Sequence, residues 1–283
     1  MTETKSKKRE KKVKAPKEEM SFLEHLEELR WHIIRSFLAI VIFSVLAFIE
    51  KDIIFDKIIF SPKRPDFWTN RMFGLLADFL GTDSVRINTK EFQLISINMS
   101  GQFMTHFWTS VIVGLIIASP YVIYEIWRFI KPALYEKERK YSTGAVFYMS
   151  VLFILGVLFG YYLIVPLSVH FLGSYSISNS VANQINILSY INTVTSITLA
   201  SGIIFELPVV VYVLSKVGIL TPDMMSKYRR HAYIVLLIIS AIITPPDVFS
   251  QIMVCIPLVF LYEIGIIISK RVNKKADEEL EKM

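Results

Sequence analysis

Two long apolar runs joined by a cationic hairpin constrain this chain more than any other feature. Residues 103–126 and 143–165 are almost wholly apolar, and each approaches the ~20 residues that a bilayer-crossing helix needs. The stretch SPYVIYEIWRFIKPALYEKERK, residues 119–140, closes the hairpin and carries Arg128, Lys131, Lys137, Arg139 and Lys140. Inner-face loops of membrane proteins collect Lys and Arg in this way, so the hairpin is expected in the cytoplasm. At 53% hydrophobic residues and a mean hydropathy of +0.47, the chain is too apolar for a soluble domain of its 283 residues. The expected fold is an all-α polytopic membrane protein with no separate soluble domain.

The other segments follow from the same reasoning. Residues 1–20 read as a disordered basic tail, with eight Lys or Arg against four Glu in the first nineteen. No short apolar segment with a cleavage site follows, so it is not read as a signal peptide. Its charge suits an anionic inner leaflet. Ser21 and Glu24 form a capping box, and Phe22, Leu26, Leu29 and Ile33 make an interfacial stripe. That helix is expected to run on into a first span at 33–49, with Arg35 snorkelling to the headgroups.

Residues 50–102 read as a long outer loop, broken by Pro62 and Pro65, with a short amphipathic helix at 67–80 lying on the outer face. Its seven cations count against that side, but the charge rule weakens in long loops. The second span contains Gly114 and, near its cytoplasmic end, Pro120, where a kink is expected and tolerable. The third is expected to end near Pro166, before a connection without Lys or Arg. The fourth covers 188–214. Residues 232–243 are only ~18 Å long as a helix. Parity still asks them to cross, because the last span, 248–269, is followed by Lys270, Arg271, Lys274 and Lys275. Local thinning of the bilayer would accommodate the short helix. Six spans within residues 21–270, the fifth and sixth of them short, an extended extracytoplasmic cap loop, a charged tail at 271–283 and two cytoplasmic termini are therefore expected.

Several acids stand out because their helical neighbours do not neutralise them. Glu136 faces Lys140 at i+4, whereas Glu138 has no cation at i±3 or i±4. Glu27 has Arg30, whereas Glu28 has only Glu24, His25, Trp31 and His32 around it. Both leftover carboxylates lie on the expected cytoplasmic side and invite a shared cationic ligand; a solvated loop charge is the alternative for Glu138. Pro132 suits the first turn of the following helix. Glu206 falls roughly 15 Å inside the end of the fourth span, where an ionisable group marks a function by default. Asn192, Thr195, Gly202 and Glu206 share a direction within about 40°, which reads as a polar groove or as a hydrogen-bonded structural acid. Pro208 is expected to bend the helix beside it.

The connection TPPDVFSQ at 244–251 joins the last two spans, and Asp247 is placed to cap the second of them. Thr244 and Gln251 would meet an intramembrane partner there, or satisfy backbone groups freed by Pro245 and Pro246. His106 and Trp108 sit near the outer boundary. Cys255 is the sole cysteine and reads as a small buried hydrophobe. No Walker A, HExxH, GxSxG or CxxC sequence occurs, nor any histidine pair suited to haem. No cofactor, metal, enzyme activity or nucleic-acid partner is expected.

Four motifs in order, HLEELR at 25–30, the 119–140 hairpin, FELP around Glu206 and TPPDVFSQ, resemble the TatC family of the bacterial twin-arginine translocase. The resemblance runs from Phe22 to about Ser269 and departs from the family in the long basic tail and the expanded first outer loop. It implies a receptor for signal peptides bearing paired arginines, sited on Glu28 and Glu138 with Arg30, Phe129, Pro132 and Tyr135 around them. It also implies structural or functional roles for Pro62, Pro120 and Asp247, and a groove role for Glu206. Thr244 and Gln251 match the docking region for single-span TatA- and TatB-type subunits. Self-association, contact with membrane lipids, a place in the bacterial inner membrane and drive from the proton-motive force are further implications. Two other readings start from single residues. Glu206 beside a broken helix fits a proton-coupled small-molecule transporter, although the halves show no repeat. His106 or His170 would serve an intramembrane hydrolase, but neither has a partnered nucleophile.

Overall fold

The computed structural model describes residues 22–130, 142–178, 180, 183–244 and 248–280. Helix α1 (Phe22–Ile49) starts at the interfacial stripe and continues unbroken through the first apolar run, as expected. Helix α3 (Gly101–Ile130) passes straight through Pro120. Proline has no N–H for the Ile116 carbonyl four residues back, and the Ser119 hydroxyl donates to that oxygen at 2.7 Å instead.

The third apolar run does not end near Pro166. Helix α4 (Ser142–Phe159), a π-helical turn (Gly160–Ile164) and α5 (Val165–Ser174) follow one another without a break. Pro166 lies inside this continuous rod, so its missing N–H leaves a carbonyl one turn back without its helical donor. The Tyr162 carbonyl, four residues back, receives the Thr69 hydroxyl. The expected termination is thus replaced by a docking point.

The fourth run divides into α6 (Ile187–Phe205) and α7 (Leu207–Lys216), broken at Glu206 ahead of Pro208. Thr221 caps the short α8 (Pro222–Lys227), its hydroxyl accepting the Met224 N–H at 3.3 Å. Helix α9 (Arg229–Ile243) leads to α10 (Val248–Leu280), which at 33 residues is not the short helix expected for the sixth span, because it continues through most of the segment read as a charged tail. Among the described residues, five stretches are long and apolar enough to cross a membrane: Leu26–Ile49, Gly101–Ile130, Gly144–Ser174, Ile187–Lys216 and Gln251–Lys274. Helix α9 has 15 residues, about 22 Å at ~1.5 Å each, and is shorter than these.

Glycine sets the closest packing. Helix α1 lies along α3, α4 along α6, and α7 along α10. A Cβ on Gly114 would come within 2.3 Å of the Ser44 hydroxyl and 2.5 Å of its backbone nitrogen. Gly156 and Gly160, one turn apart, face Ser201 in the same way. In lipid, helices associate through such close contact rather than by expelling water. The apolar core gathers Ile164, Tyr190, Ile191, Ile197 and Leu258.

The segment between α1 and α3 folds into a cap. It contains a π-helical turn (Ile53–Ile59), the expected amphipathic helix as α2 (Trp68–Leu80), and β1 (Leu94–Ile95), paired in parallel with β2 (Ile185–Asn186). Buried Asn88, at a left-handed φ of 48°, donates its amide to Asn70 Oδ1 at 3.1 Å and to the Pro166 carbonyl at 3.0 Å. Asn70 in turn donates to the Pro62 and Arg64 carbonyls at 3.0 and 2.7 Å. These amides fasten the cap to the α4–α5 rod.

Candidate functional site

The beginning of α1 and the end of α3 come together at one end of the bundle. His32 Nδ1 there meets Glu125 Oε2. The carboxylate is 2% exposed and the imidazole 12%. Tyr121, one turn earlier on α3, donates its hydroxyl to the other oxygen at 2.8 Å. Phe129, one turn later, sets its ring edge-on to His32 at 6.2 Å. A buried carboxylate is tolerable only when its oxygens are served in this way.

Glu28 lies one turn before His32, on the same side of α1. It is exposed and forms no ion pair with another described residue. Arg30, the cation nearest in sequence, instead holds its guanidinium 5.6 Å from the Trp31 ring. The site therefore presents an open carboxylate on a helix anchored, one turn further in, by a buried acid–imidazole contact. Glu138, Pro132 and Tyr135 lie outside the described residues, as does Asp247.

Glu206 is half-buried, and neither carboxylate oxygen has a hydrogen-bond partner among the described residues. Its expected companions do not form one open face with it. Asn192 is exposed, Thr195 is buried with its hydroxyl on the Ile191 carbonyl at 2.7 Å, and Gly202 packs against Phe153 and Val157. At the α9–α10 corner the Thr244 hydroxyl donates to Ser240 O at 2.8 Å, and Gln251 donates to Leu237 O at 3.3 Å. Pro62 is buried, and its carbonyl is held by Asn70. His106 stacks on Phe48 at 3.9 Å and contacts its carbonyl oxygen at 3.0 Å. His170 Nδ1 accepts the Asn88 N–H at 3.1 Å.

Sequence reasoning passed over Glu125, Tyr121 and the role of His32. The available signal was an acid within the last two turns of an apolar helix, with nothing local to mark its distant partner. A second missed group is Glu263 of α10, which pairs with Arg229 at 2.9 Å and accepts the Tyr233 hydroxyl at 2.5 Å. Among the described residues, no cluster of three His, Cys, Asp or Glu is placed to hold a metal.

Residues 24–257 match the family described as Sec-independent protein translocase protein, TatC. The chain belongs to the TatC family. It is 41% identical over 265 residues to the TatC protein of Blattabacterium from Periplaneta americana, covering 93% of this chain and all of that one. It is 34% identical to the TatC protein of Aquifex aeolicus, over 92% of this chain and 98% of the other. A crystal structure described as the twin arginine translocase receptor TatC superposes with a TM-score of 0.65 at 33% identity, covering 88% of this chain and all of that one. As a TatC-family chain, the protein is a multi-pass membrane component of a Sec-independent protein translocase, a transport subunit rather than an enzyme.

Proposed function

We propose that this chain is the receptor subunit of the translocase, taking signal peptides with paired arginines where α1 begins and α3 stops. The observation that carries this reading is Glu28, exposed and without an ion-pair partner among the described residues, one turn from an anchored His32. A guanidinium donates two parallel hydrogen bonds to such a carboxylate. Each charge-assisted bond is worth ~1.5–3 kcal/mol net, enough for two arginines to mark a client. Glu138, on the segment that leaves α3, supplies the second carboxylate, and Arg30, Phe129, Pro132 and Tyr135 shape the surroundings.

Six crossings, with the bilayer thinned around α9, then place both termini on the cytoplasmic side of the bacterial inner membrane. Glu206 meets inserted signal-peptide backbone, a role supported by its two unpartnered oxygens. Single-span TatA- and TatB-type subunits dock along α9, whose Ile234, Ile238 and Ile242 are exposed, with Thr244 and Gln251 at its end. Pro62 and Pro120 hold the frame, Asp247 caps α10, copies of the chain associate with one another, and the proton-motive force drives export of folded cargo. Photocrosslinking of a twin-arginine peptide to the chain in proteoliposomes tests the reading. Glu28→Gln, Glu138→Gln and replacement of both peptide arginines by lysine should each reduce capture. Undiminished capture in all three would overturn it.

A further inference from the structure

We propose that the cap helix α2 is a lipid-surface anchor, lying in the bilayer interface at the end of the bundle opposite the start of α1. Trp68, Met72, Leu75 and Phe79 are 62, 48, 64 and 87% exposed. At 100° per residue they point within about 60° of one direction, and buried Asn70 and Ala77 point the opposite way. Arg71 and Asp78, both exposed, border the apolar stripe on one side. Helix α2 therefore shows one face to the cap and a continuous apolar face to its surroundings, the pattern of an interfacial helix.

Depth identifies what covers that face. The Thr69 hydroxyl bonds to the Tyr162 carbonyl, and the Trp68 ring stands edge-on to Tyr162 at 6.1 Å. Tyr162 lies on the Gly144–Ser174 stretch, about 27 Å from Gly144 at ~1.5 Å per residue. The hydrocarbon layer is ~30 Å thick, so α2 begins at its far boundary. The stripe also meets, at Tyr162, the exposed side of α4 and the π-helical turn that follows it, where Leu155, Leu158 and Tyr162 are exposed at helical spacing. Lipid that wets those residues meets Trp68 next, and tryptophan favours this level of a membrane. The occupant is phospholipid at the headgroup–acyl boundary, rather than a second copy of the chain.

An environment-sensitive fluorophore on Phe79→Cys or Leu75→Cys, each in a Cys255→Ser background, tests this in proteoliposomes of plain and brominated phosphatidylcholine. Blue-shifted emission that brominated chains quench is expected at both positions, and water-like emission at a Lys90→Cys control on the same cap. Emission matching the control would overturn the proposal. Self-quenching that grows with protein density would also overturn it, because a second copy would then cover the face. Should either variant fail to elute as the parent chain does, Met72→Cys gives the same reading from the same stripe.

Discussion

His32 of α1 and Glu125 of α3, 93 positions apart in the chain, form a buried contact that joins the two helices at one end of the bundle. With Tyr121 on the other carboxylate oxygen, Glu125 is served from both sides while remaining almost inaccessible. Glu28 sits one turn away, so the contact fixes the direction in which α1 presents its open acid. Buried polar groups become specific in this way when every member is satisfied.

Removing the imidazole should therefore cost more than an ordinary surface change. His32→Ala leaves a buried carboxylate with one partner, and breaking such a pair typically costs about 3–5 kcal/mol. Thermal unfolding in detergent checks this through a double-mutant cycle with Glu125→Leu. The double variant should recover much of the loss. Strict additivity of the two single effects would show that the contact carries no coupling.

Gly114 makes a second, purely steric prediction. A Cβ there meets the Ser44 backbone nitrogen and Cα at 2.5 and 2.7 Å as well as the hydroxyl. Gly114→Ala must then push α1 away from α3, and overpacking of this kind costs about 1–3 kcal/mol. Ser44→Ala should not rescue it, because the clash is with backbone. Full rescue, read as a restored melting temperature, would place the obstruction in the hydroxyl instead.

The apolar runs announced the spans because a lipid-facing helix must be apolar along ~20 residues whatever it packs against. The break at Glu206 was legible for a similar reason, since Pro208 acts on its own backbone. Pro166 was misread, because the Thr69 hydroxyl that meets the Tyr162 carbonyl comes from 93 positions away. The role of His32 was not legible for a similar reason: its partner is remote, and no spacing rule on α1 points to Glu125. The cap offered only proline breaks and one amphipathic stretch, and its Asn70–Asn88 amide network is visible only once folded.

The cap should loosen in acid. Glu91 accepts a hydrogen bond from Lys63 at 2.7 Å, and that bond with its charge holds the Glu91 carboxyl below its ordinary value. A carboxyl lowered on folding contributes stability that is present above its unfolded pKa and lost as pH falls through the folded one. Glu91 is half-exposed, so the contribution is at most about 1 kcal/mol. Hydrogen-exchange protection factors, corrected for the intrinsic pH dependence of amide exchange, should fall in residues 60–95 on acidification of the parent chain, and Glu91→Gln should be less protected at neutral pH with less change in acid. An unaltered pH response in Glu91→Gln would assign the loosening to another group.

Glu206 should show stability and function pulling apart. Its two buried oxygens lack partners among the described residues, and an unsatisfied polar group of this kind typically costs about 1–3 kcal/mol in proteins. Glu206→Leu removes that cost and, at half-buried depth beside Pro208, introduces no new polar demand. The variant should unfold at a higher temperature than the parent chain while exporting less of a folded reporter with a twin-arginine signal. Natural sites accept such local cost where activity needs the group. A Leu variant that melts earlier would mean that the carboxylate has a structural partner, and one that exports normally would remove Glu206 from the transport path.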